Sequence, residues 1–503
     1  TECGSAVGRP PANTRKGSET MSKILGHLEP QAVFHYFEEI AAIPHGSRNT
    51  KKIADYCEQF AKDRGLQHTR DASDNVIIVK PAAKGYETAA PVVLQGHLDM
   101  VCEKAPGCTK DMETEGLDLV EENGWVYARG TTLGGDDGIA VAYGLALLDS
   151  TDIPHPPLEV LLTVDEEIGL LGAVGLDCSV LKGRRFINLD SEAEGSLWIS
   201  CAGGLSGISH IPVQRVEGEG EKVQVKICGL MGGHSGAEIQ KQLGNAHKIM
   251  GRVLYALAKD YDFNIVSTNG GNAANVIAQY NTTEIIADPA QAQDIIDAVA
   301  GLEQTIYAEF AGQEPTLSLK AVSDGETTLK AFDADTTSHV IGFLYGAIDG
   351  VQCYDRAFPT AVESSLNTGI VETTEDTVKI KFQVRSSVAT KLDDMQNKLD
   401  LATDLASASR EISGEYPAWS YNADSVIRPK AIELYKEMFG KEPTVETTHG
   451  GLECGILYGK KNDLDIISFG PDLTGVHTYN ERVHIASTQR MWNYLKELLK
   501  ACK

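Results

Sequence analysis

Two rhythms of hydrophobic and polar positions divide this chain. Helical spacing opens it: Val33, Phe37, Ile40 and Ala41 fall on one face over 31–41, and Pro44 ends the run. A second face of this kind (Ile53, Cys57, Phe60, Ala61) predicts a helix over about 48–64, closed by Gly65. Short continuous apolar runs follow: Asn75 to Val79, Pro91 to Gly96, Leu158 to Thr163, Arg185 to Leu189 and Leu464 to Gly470. Strands that read this way are buried on both faces, as in a mostly parallel sheet. A buried helix over Gly138 to Leu148 is entered through the turn Gly134-Gly135-Asp136-Asp137. Helix alternating with buried strand predicts an α/β fold.

After Cys201-Ala202-Gly203-Gly204 the rhythm changes. Val223, Val225 and Ile227 alternate with polar neighbours, so one face of that strand is wet. A long helix over about 236–258, a strand from Asn275 to Gln279 and helices near 290–311 are expected next. Strands near 315–321 and 377–384 and a helix over 390–409 complete this stretch, an α+β domain with one antiparallel sheet covered on one side. From about 411 the α/β character returns, ending in a helix from Ser487 to Leu499. The expected organisation is a catalytic domain in two parts, 21–205 and 411–503, with an α+β lid and dimerisation domain, 206–410, inserted between them. Residues 1–20 are aperiodic and read as a leader foreign to the fold, with Met21 as the natural start.

Length supports two domains, since 503 residues exceed one ordinary core. A formal net charge of −26 argues against nucleic acid or an anionic membrane as partner. No apolar stretch approaches the roughly 20 residues that span a bilayer. Ten scattered cysteines with no Cys-x-x-Cys pair read as free thiols of a cytoplasmic protein. There is no P-loop, no complete dinucleotide fingerprint and no internal repeat.

The chemistry lies where the buried runs end. They lead to His97-Leu98-Asp99, to Asp165-Glu166-Glu167, to Asp190 and, further on, to His477. In parallel sheets ligands collect beyond the carboxyl ends of the strands, so these residues are expected on one rim. Singly, each has an ordinary reading as a solvated turn or a structural histidine. Together they make a metal site. A carboxylate at Asp99 can fix the ring of a metal-binding His97. Asp136, or its neighbour Asp137, can bridge two cations from its turn. Of the pair Glu166-Glu167, one can bind metal while the other moves a proton. Mixed His and carboxylate donors favour zinc, with manganese and cobalt also suited.

The order His97-x-Asp99, Asp136, Glu166-Glu167, Asp190, His477 resembles the di-zinc peptidases of the aminoacylase, carboxypeptidase and dipeptidase superfamily. Within it, the aminoacyl-histidine (Xaa-His) dipeptidases are the most similar branch. The resemblance rests on Ile43-Pro44-His45, Val93 to Val101, Ala128 to Gly134, Leu158 to Thr163, Cys201 to Gly204, Gly232-Gly233-His234-Ser235-Gly236 and His449 to Gly455. It implies Asp136 as the bridge, His97 and Asp190 on one ion and Glu167 and His477 on the other. It also implies Glu166 as general base and then acid, with Asp99 orienting His97. From the lid, His234 would steady the oxyanion, in several relatives reaching in from a partner subunit, while Asn275 and Arg385 would hold the substrate carbonyl and carboxylate. Glu453 would meet the substrate amino group. The chain departs from many relatives in having Asn275-Val276-Ile277-Ala278-Gln279-Tyr280 in the lid and no Lys after Asp136.

The expected function is therefore hydrolysis of Xaa-His dipeptides such as β-alanyl-histidine, with two zinc ions per subunit that manganese or cobalt may replace. A small peptide is the expected partner, and a homodimer through the lid the expected assembly. A tripeptidase, a broad dipeptidase or an N-acyl amino acid deacylase would use the same chemistry. A metal-binding scaffold is the alternative from another class.

Overall fold

The computed structural model describes residues 24–310 and 312–503, so the expected leader at 1–20 lies outside the described residues. All five of the buried runs lie side by side within an eight-stranded sheet. Its order is Gln67–Arg70, Val76–Lys80, Leu158–Thr163, Val92–His97, Arg185–Asn188, Asp465–Ser468, Ser196–Cys201, Thr444–Thr448. The central pairs are parallel: Val92–His97 runs with both Leu158–Thr163 and Arg185–Asn188, and Arg185–Asn188 with Asp465–Ser468. Antiparallel pairs enter toward the edges, at Gln67–Arg70 with Val76–Lys80 and at Val76–Lys80 with Leu158–Thr163. Every residue of Val92–His97 and of Leu158–Thr163 is buried. Their continuous apolar character follows from helices that cover the sheet. The helix Gly135–Asp149 is buried almost all round, whereas Gln31–Ala41 and Lys51–Asp63 bury one stripe each.

A nine-stranded antiparallel sheet occupies the middle of the chain. It runs Ser318–Phe332, Arg215–Cys228, Asn281–Ala287, Phe263–Gly270, Val362–Thr373, Thr377–Ser386, Gly203–Pro212, Ser409–Tyr416, with Gly350–Tyr354 beside Val362–Thr373. Val223, Val225 and Ile227 are buried while Lys226 faces out, as period-two alternation demands. This sheet has its own apolar core, in which Met250, Val253, Ile295, Val299, Val340 and Leu344 of the helices meet Val225, Ile285 and Ile380 of the strands.

Several boundaries differ from expectation. The helix expected over 236–258 is broken: a short helix Ser235–Glu238 and a 3-10 turn Ile239–Lys241 precede the real one, Ala246–Leu257. Asn245 causes the restart, since its side chain accepts the amide of His247 as an N-cap. The strand expected at 275–279 shrinks to Val276–Ile277, paired with Gly233–His234. The strand near 315–321 extends to Phe332, because Arg215–Cys228 offers a partner along its whole length. Ser409–Tyr416, where α/β character was expected to resume, instead pairs with Gly203–Pro212. A four-stranded sheet (Leu473–Thr474, Arg482–His484, Trp125–Ala128, Leu119–Glu122) had no counterpart in the expected elements.

Candidate metal centre

His97 is the last residue of its strand and only 1 % exposed. Its Nδ1 faces Asp99, 3.0 Å from the backbone oxygen and 3.4 Å from Oδ1. Its Nε2 lies 3.0 Å from Asp136 Oδ1 and 3.9 Å from Asp190 Oδ1. The other Asp136 oxygen, Oδ2, is 3.2 Å from His477 Nε2, which is also 2.9 Å from Glu167 Oε2. One carboxylate thus faces two histidines from opposite ends of the chain. Asp136 can do this because its backbone (φ −83°, ψ 104°) is not yet helical at the head of Gly135–Asp149. His477 comes from the loop between Leu473–Thr474 and Arg482–His484, with φ +62°.

Asp99 braces more than the histidine ring. Its Oδ1 accepts the amide of Glu166 at 2.9 Å, and its Oδ2 accepts the Ser47 hydroxyl at 2.8 Å and the Glu167 amide at 3.3 Å. One buried carboxylate therefore sets both His97 and the Glu166-Glu167 pair. Asp137 stays close to His97, and its Oδ2 accepts the His97 amide at 3.2 Å. Donor atoms of His97, Asp136 and Glu167 lie within 4.8 Å of one another, as do those of His97, Asp137 and Asp190.

The charges in this cluster are unbalanced. Among the described residues, no Lys or Arg ion-pairs with Asp99, Asp136, Asp137, Glu166, Glu167, Asp190 or Glu453. Burial, then the charges of Glu453, Glu167 and Asp136, push Glu166 up to about 8, against the opposing effect of His97. Burial and the neighbouring Asp137 and Asp136 raise Asp190 well above the carboxylate range. Hydrogen bonds to Asp136 and Glu167 raise His477 to about 10. Burial opposes the charge on Asp136, yet the His477 and His97 hydrogen bonds hold it well below its ordinary value. Among the described residues, protonated His97 and His477 are the only counter-charges within ion-pair distance of the clustered carboxylates. Glu167 Oε1 is buried and has no partner. Divalent cations suit this donor set, since they replace those protons and satisfy that oxygen.

The expected lid residues lie apart. His234 is exposed, and its Nδ1 accepts the Gly236 amide at 3.2 Å. Asn275 is tied to it through the backbone, its carbonyl accepting the Ser235 amide at 2.8 Å. Arg385, 7 % exposed, donates to the Tyr416 hydroxyl at 2.7 Å, and its Nε is buried with no partner. Among the described residues, no hydrogen bond or ion pair joins these three to the strand-end cluster. Glu453 is fully buried, its Oε2 accepting from Gln95 at 2.6 Å and Thr163 at 2.7 Å. Its Oε1 is buried with no partner. A cavity of about 860 Å³ opens beside Glu167, lined by Ser47, Arg48, Met100, Lys104 and Ile168 among others.

Residues with no expected role support the lid positions. Asn367 Nδ2 donates to the carbonyls of Ala274 (2.7 Å) and Val276 (2.9 Å), gripping the chain on both sides of Asn275. His449 Nε2 lies 2.7 Å from Ser365 Oγ, and burial with the Arg385 charge lowers this histidine to about 3. Only His449 left a trace in the sequence, inside a glycine-rich stretch.

A family model, described as peptidase family M20/M25/M40, matches residues 93–501. The chain belongs to this family. It is a metallopeptidase, and its α/β fold with an α+β lid is that of M20 dipeptidases of known structure. This M20 peptidase is 38 % identical over 484 residues to the cytosol non-specific dipeptidase of Escherichia coli K12, covering 95 % of this chain and 98 % of that one. The crystal structure of aminoacylhistidine dipeptidase from Vibrio alginolyticus superposes with a TM-score of 0.90 at 34 % identity, over 96 % of this chain and 99 % of that one. The aminopeptidase PepT of Bacillus cereus shares the fold alone, with a TM-score of 0.56 at 15 % identity over 94 % of this chain and 99 % of that one. Among the described residues no helix is long and apolar enough to cross a membrane.

Proposed function

We propose that this M20 peptidase is a cytoplasmic dipeptidase that hydrolyses Xaa-His dipeptides such as β-alanyl-histidine. The observation that carries the reading is Asp136, whose two oxygens face His97 and His477 while Glu166 stands beside Glu167 on the brace of Asp99. Names of the relatives in Escherichia coli and Vibrio alginolyticus support a dipeptide substrate.

In this reading His97, Asp136 and Asp190 would hold one divalent ion, and Asp136, Glu167 and His477 would hold the other, zinc being favoured by the donor set. The pair of ions supplies Lewis acidity toward the scissile carbonyl and lowers the pKa of water. Glu166 takes the proton from the attacking water and delivers it to the leaving amine. Asp99 holds the ring of His97 and the backbone of Glu166 in place throughout. His234 steadies the oxyanion, Asn275 holds the substrate carbonyl, and the fork of Arg385 takes the free carboxylate. Because these three stand away from the cluster, the lid closes, or a partner subunit supplies His234, before hydrolysis.

Self-association through the lid has support in its surface. Tyr255, Tyr345, Leu401 and Leu405 are exposed there, around adjoining cavities of about 580 and 430 Å³. Exposed apolar surface of this kind marks association sites. A homodimer through this face is the proposed assembly.

A dipeptide panel with added zinc, manganese or cobalt tests the substrate reading, with β-alanyl-histidine and its C-terminal variants side by side. Preference for C-terminal His is expected, and a chelator should abolish turnover until metal is restored. Equal rates on all C-terminal residues would shift the reading to a broad dipeptidase, and cleavage of tripeptides alone to a tripeptidase.

A further inference from the structure

Glu481 stands in an unusual place for a carboxylate. It is 2 % exposed, and among the described residues no basic side chain pairs with it. Instead its oxygens collect four consecutive backbone amides. Oε2 accepts from Leu133 at 2.8 Å and Gly134 at 2.9 Å, and Oε1 from Gly135 at 2.8 Å and Asp136 at 3.1 Å. These donors form the turn that presents the Asp136 carboxylate to His97 and His477. Four converging N–H groups make a concave anion site, and here the anion is a side chain of the same protein. The turn is shaped to receive it: Gly134 sits at φ +67°, and a Cβ on Gly135 would collide with Val483 and come within 3.3 Å of Glu481 Oε1.

The origin of this carboxylate is as informative as its bonds. Glu481 lies four residues beyond His477 in the same loop. That loop is wound by the Thr478 amide onto the Gly475 carbonyl and the Glu481 amide onto the Thr478 carbonyl, both at 3.1 Å. One short segment therefore carries a metal-ligand candidate and the anchor of the turn that bears another. The two meet at Asp136, whose amide faces Glu481 and whose Oδ2 faces His477.

We propose that Glu481 is a positioning residue for the metal centre, locking the Asp136 turn to the His477 loop so that the bridging carboxylate and the distal histidine are set as one unit. The proposal rests on the metallopeptidase reading for its consequence and on the four amide contacts for its mechanism. Partners of this kind typically govern metal affinity or activity by about 10- to 100-fold.

The test uses Glu481→Gln in the full chain. The substitution keeps size and shape but sets an amide –NH₂ against backbone donors, so two of the four bonds are lost. Expected are native far-UV circular dichroism, zinc affinity weakened about 10- to 100-fold in competition with a chelating dye, and faster hydrogen exchange at the amides of residues 133–136. kcat should fall more than KM rises, and the loss of zinc affinity should not add to that of His477→Ala. Gly135→Ala, which displaces the turn from the other side, should give the same loss of affinity. A Gln variant that binds zinc like wild type and protects those amides overturns the proposal, as does one that only melts earlier. Failure of both variants to fold would make Glu481 a folding brace and also overturn it. Wild-type protein that takes up no zinc, manganese or cobalt would sink the metallopeptidase reading instead, while exchange at 133–136 would still decide whether Glu481 holds the turn.

Discussion

The strand-end cluster and the lid residues are built by opposite strategies. His97, Asp136, Asp190, Glu167 and His477 are brought within a few ångströms by a buried parallel sheet and the loops at its rim. His234 and Asn275 sit on and beside the two-stranded pairing of Gly233–His234 with Val276–Ile277, Arg385 on the nine-stranded sheet, and His234 is open to solvent. The first group is preorganised and crowded with like charge, so it is ready for cations. The second is shaped but unengaged, so it can respond to a substrate. On the proposed roles, reaction chemistry and substrate selection could then be changed independently.

The largest effect should come from the rigid half. Glu166→Ala is expected to lower kcat by about 10²- to 10⁴-fold with metal content unchanged, checked by stopped assays alongside elemental analysis. Wild-type turnover in that variant would remove Glu166 from proton transfer and erase the functional side of the contrast. Arg385→Ala addresses the lid: loss of a charge-assisted contact predicts a rise in KM of about 10- to 100-fold for free dipeptides. C-terminally amidated dipeptides should respond far less, and an equal response would place Arg385 away from the substrate carboxylate.

Leu405→Glu, at a residue 72 % exposed, is expected to shift the protein from dimer to monomer in sedimentation velocity while leaving zinc affinity intact. If His234 acts across the dimer, the same variant loses activity in step with dissociation. A monomeric wild type would confine His234 to its own subunit.

The smallest effect concerns stability of the lid unit alone. Burial lowers His247 to about 4, and its ring is held by Asn281 Nδ2 at 3.0 Å. A histidine whose folded pKa lies below the ordinary value of about 6.5 loses stability as pH falls from that value toward 4, by at most about 3 kcal/mol. His247→Gln should flatten this acid limb in urea unfolding at pH 7 and pH 5. Asp349, raised to about 6 by burial, acts in the opposite sense, its contribution declining as pH rises from about 4 to 6. Asp349→Asn should therefore steepen the acid limb that His247→Gln removes. If neither variant changes the curve, the buried groups of the lid do not govern its response to acid.

Legibility differed between the two halves for a physical reason. Continuous apolar runs such as Val92–His97 can hardly be anything but buried strands, and a ligand directly after one has little freedom of position. His477 was harder, because it lies on a loop of a small sheet whose other strands, Leu119–Glu122 and Trp125–Ala128, carry no strong pattern. In the lid, half-exposed strands such as Phe263–Gly270 and Ser409–Tyr416 have polar residues on one face, and their pairing depends on distant partners. Asn367 and Glu481 left no signal at all. Each works by bonding to backbone amides or carbonyls, which every residue has, so only their meeting in space reveals them.

What the sequence determined by itself was the donor set, its order along the chain and the burial of the strands that carry most of it, because hydrophobic periodicity and side-chain chemistry are local properties. What only the tertiary structure decided was which oxygen of Asp136 faces which histidine, that Asp99 braces two elements at once, and that the loop of His477 also grips the Asp136 turn. Those are distances between residues hundreds of positions apart, and only the packing of the sheets sets them.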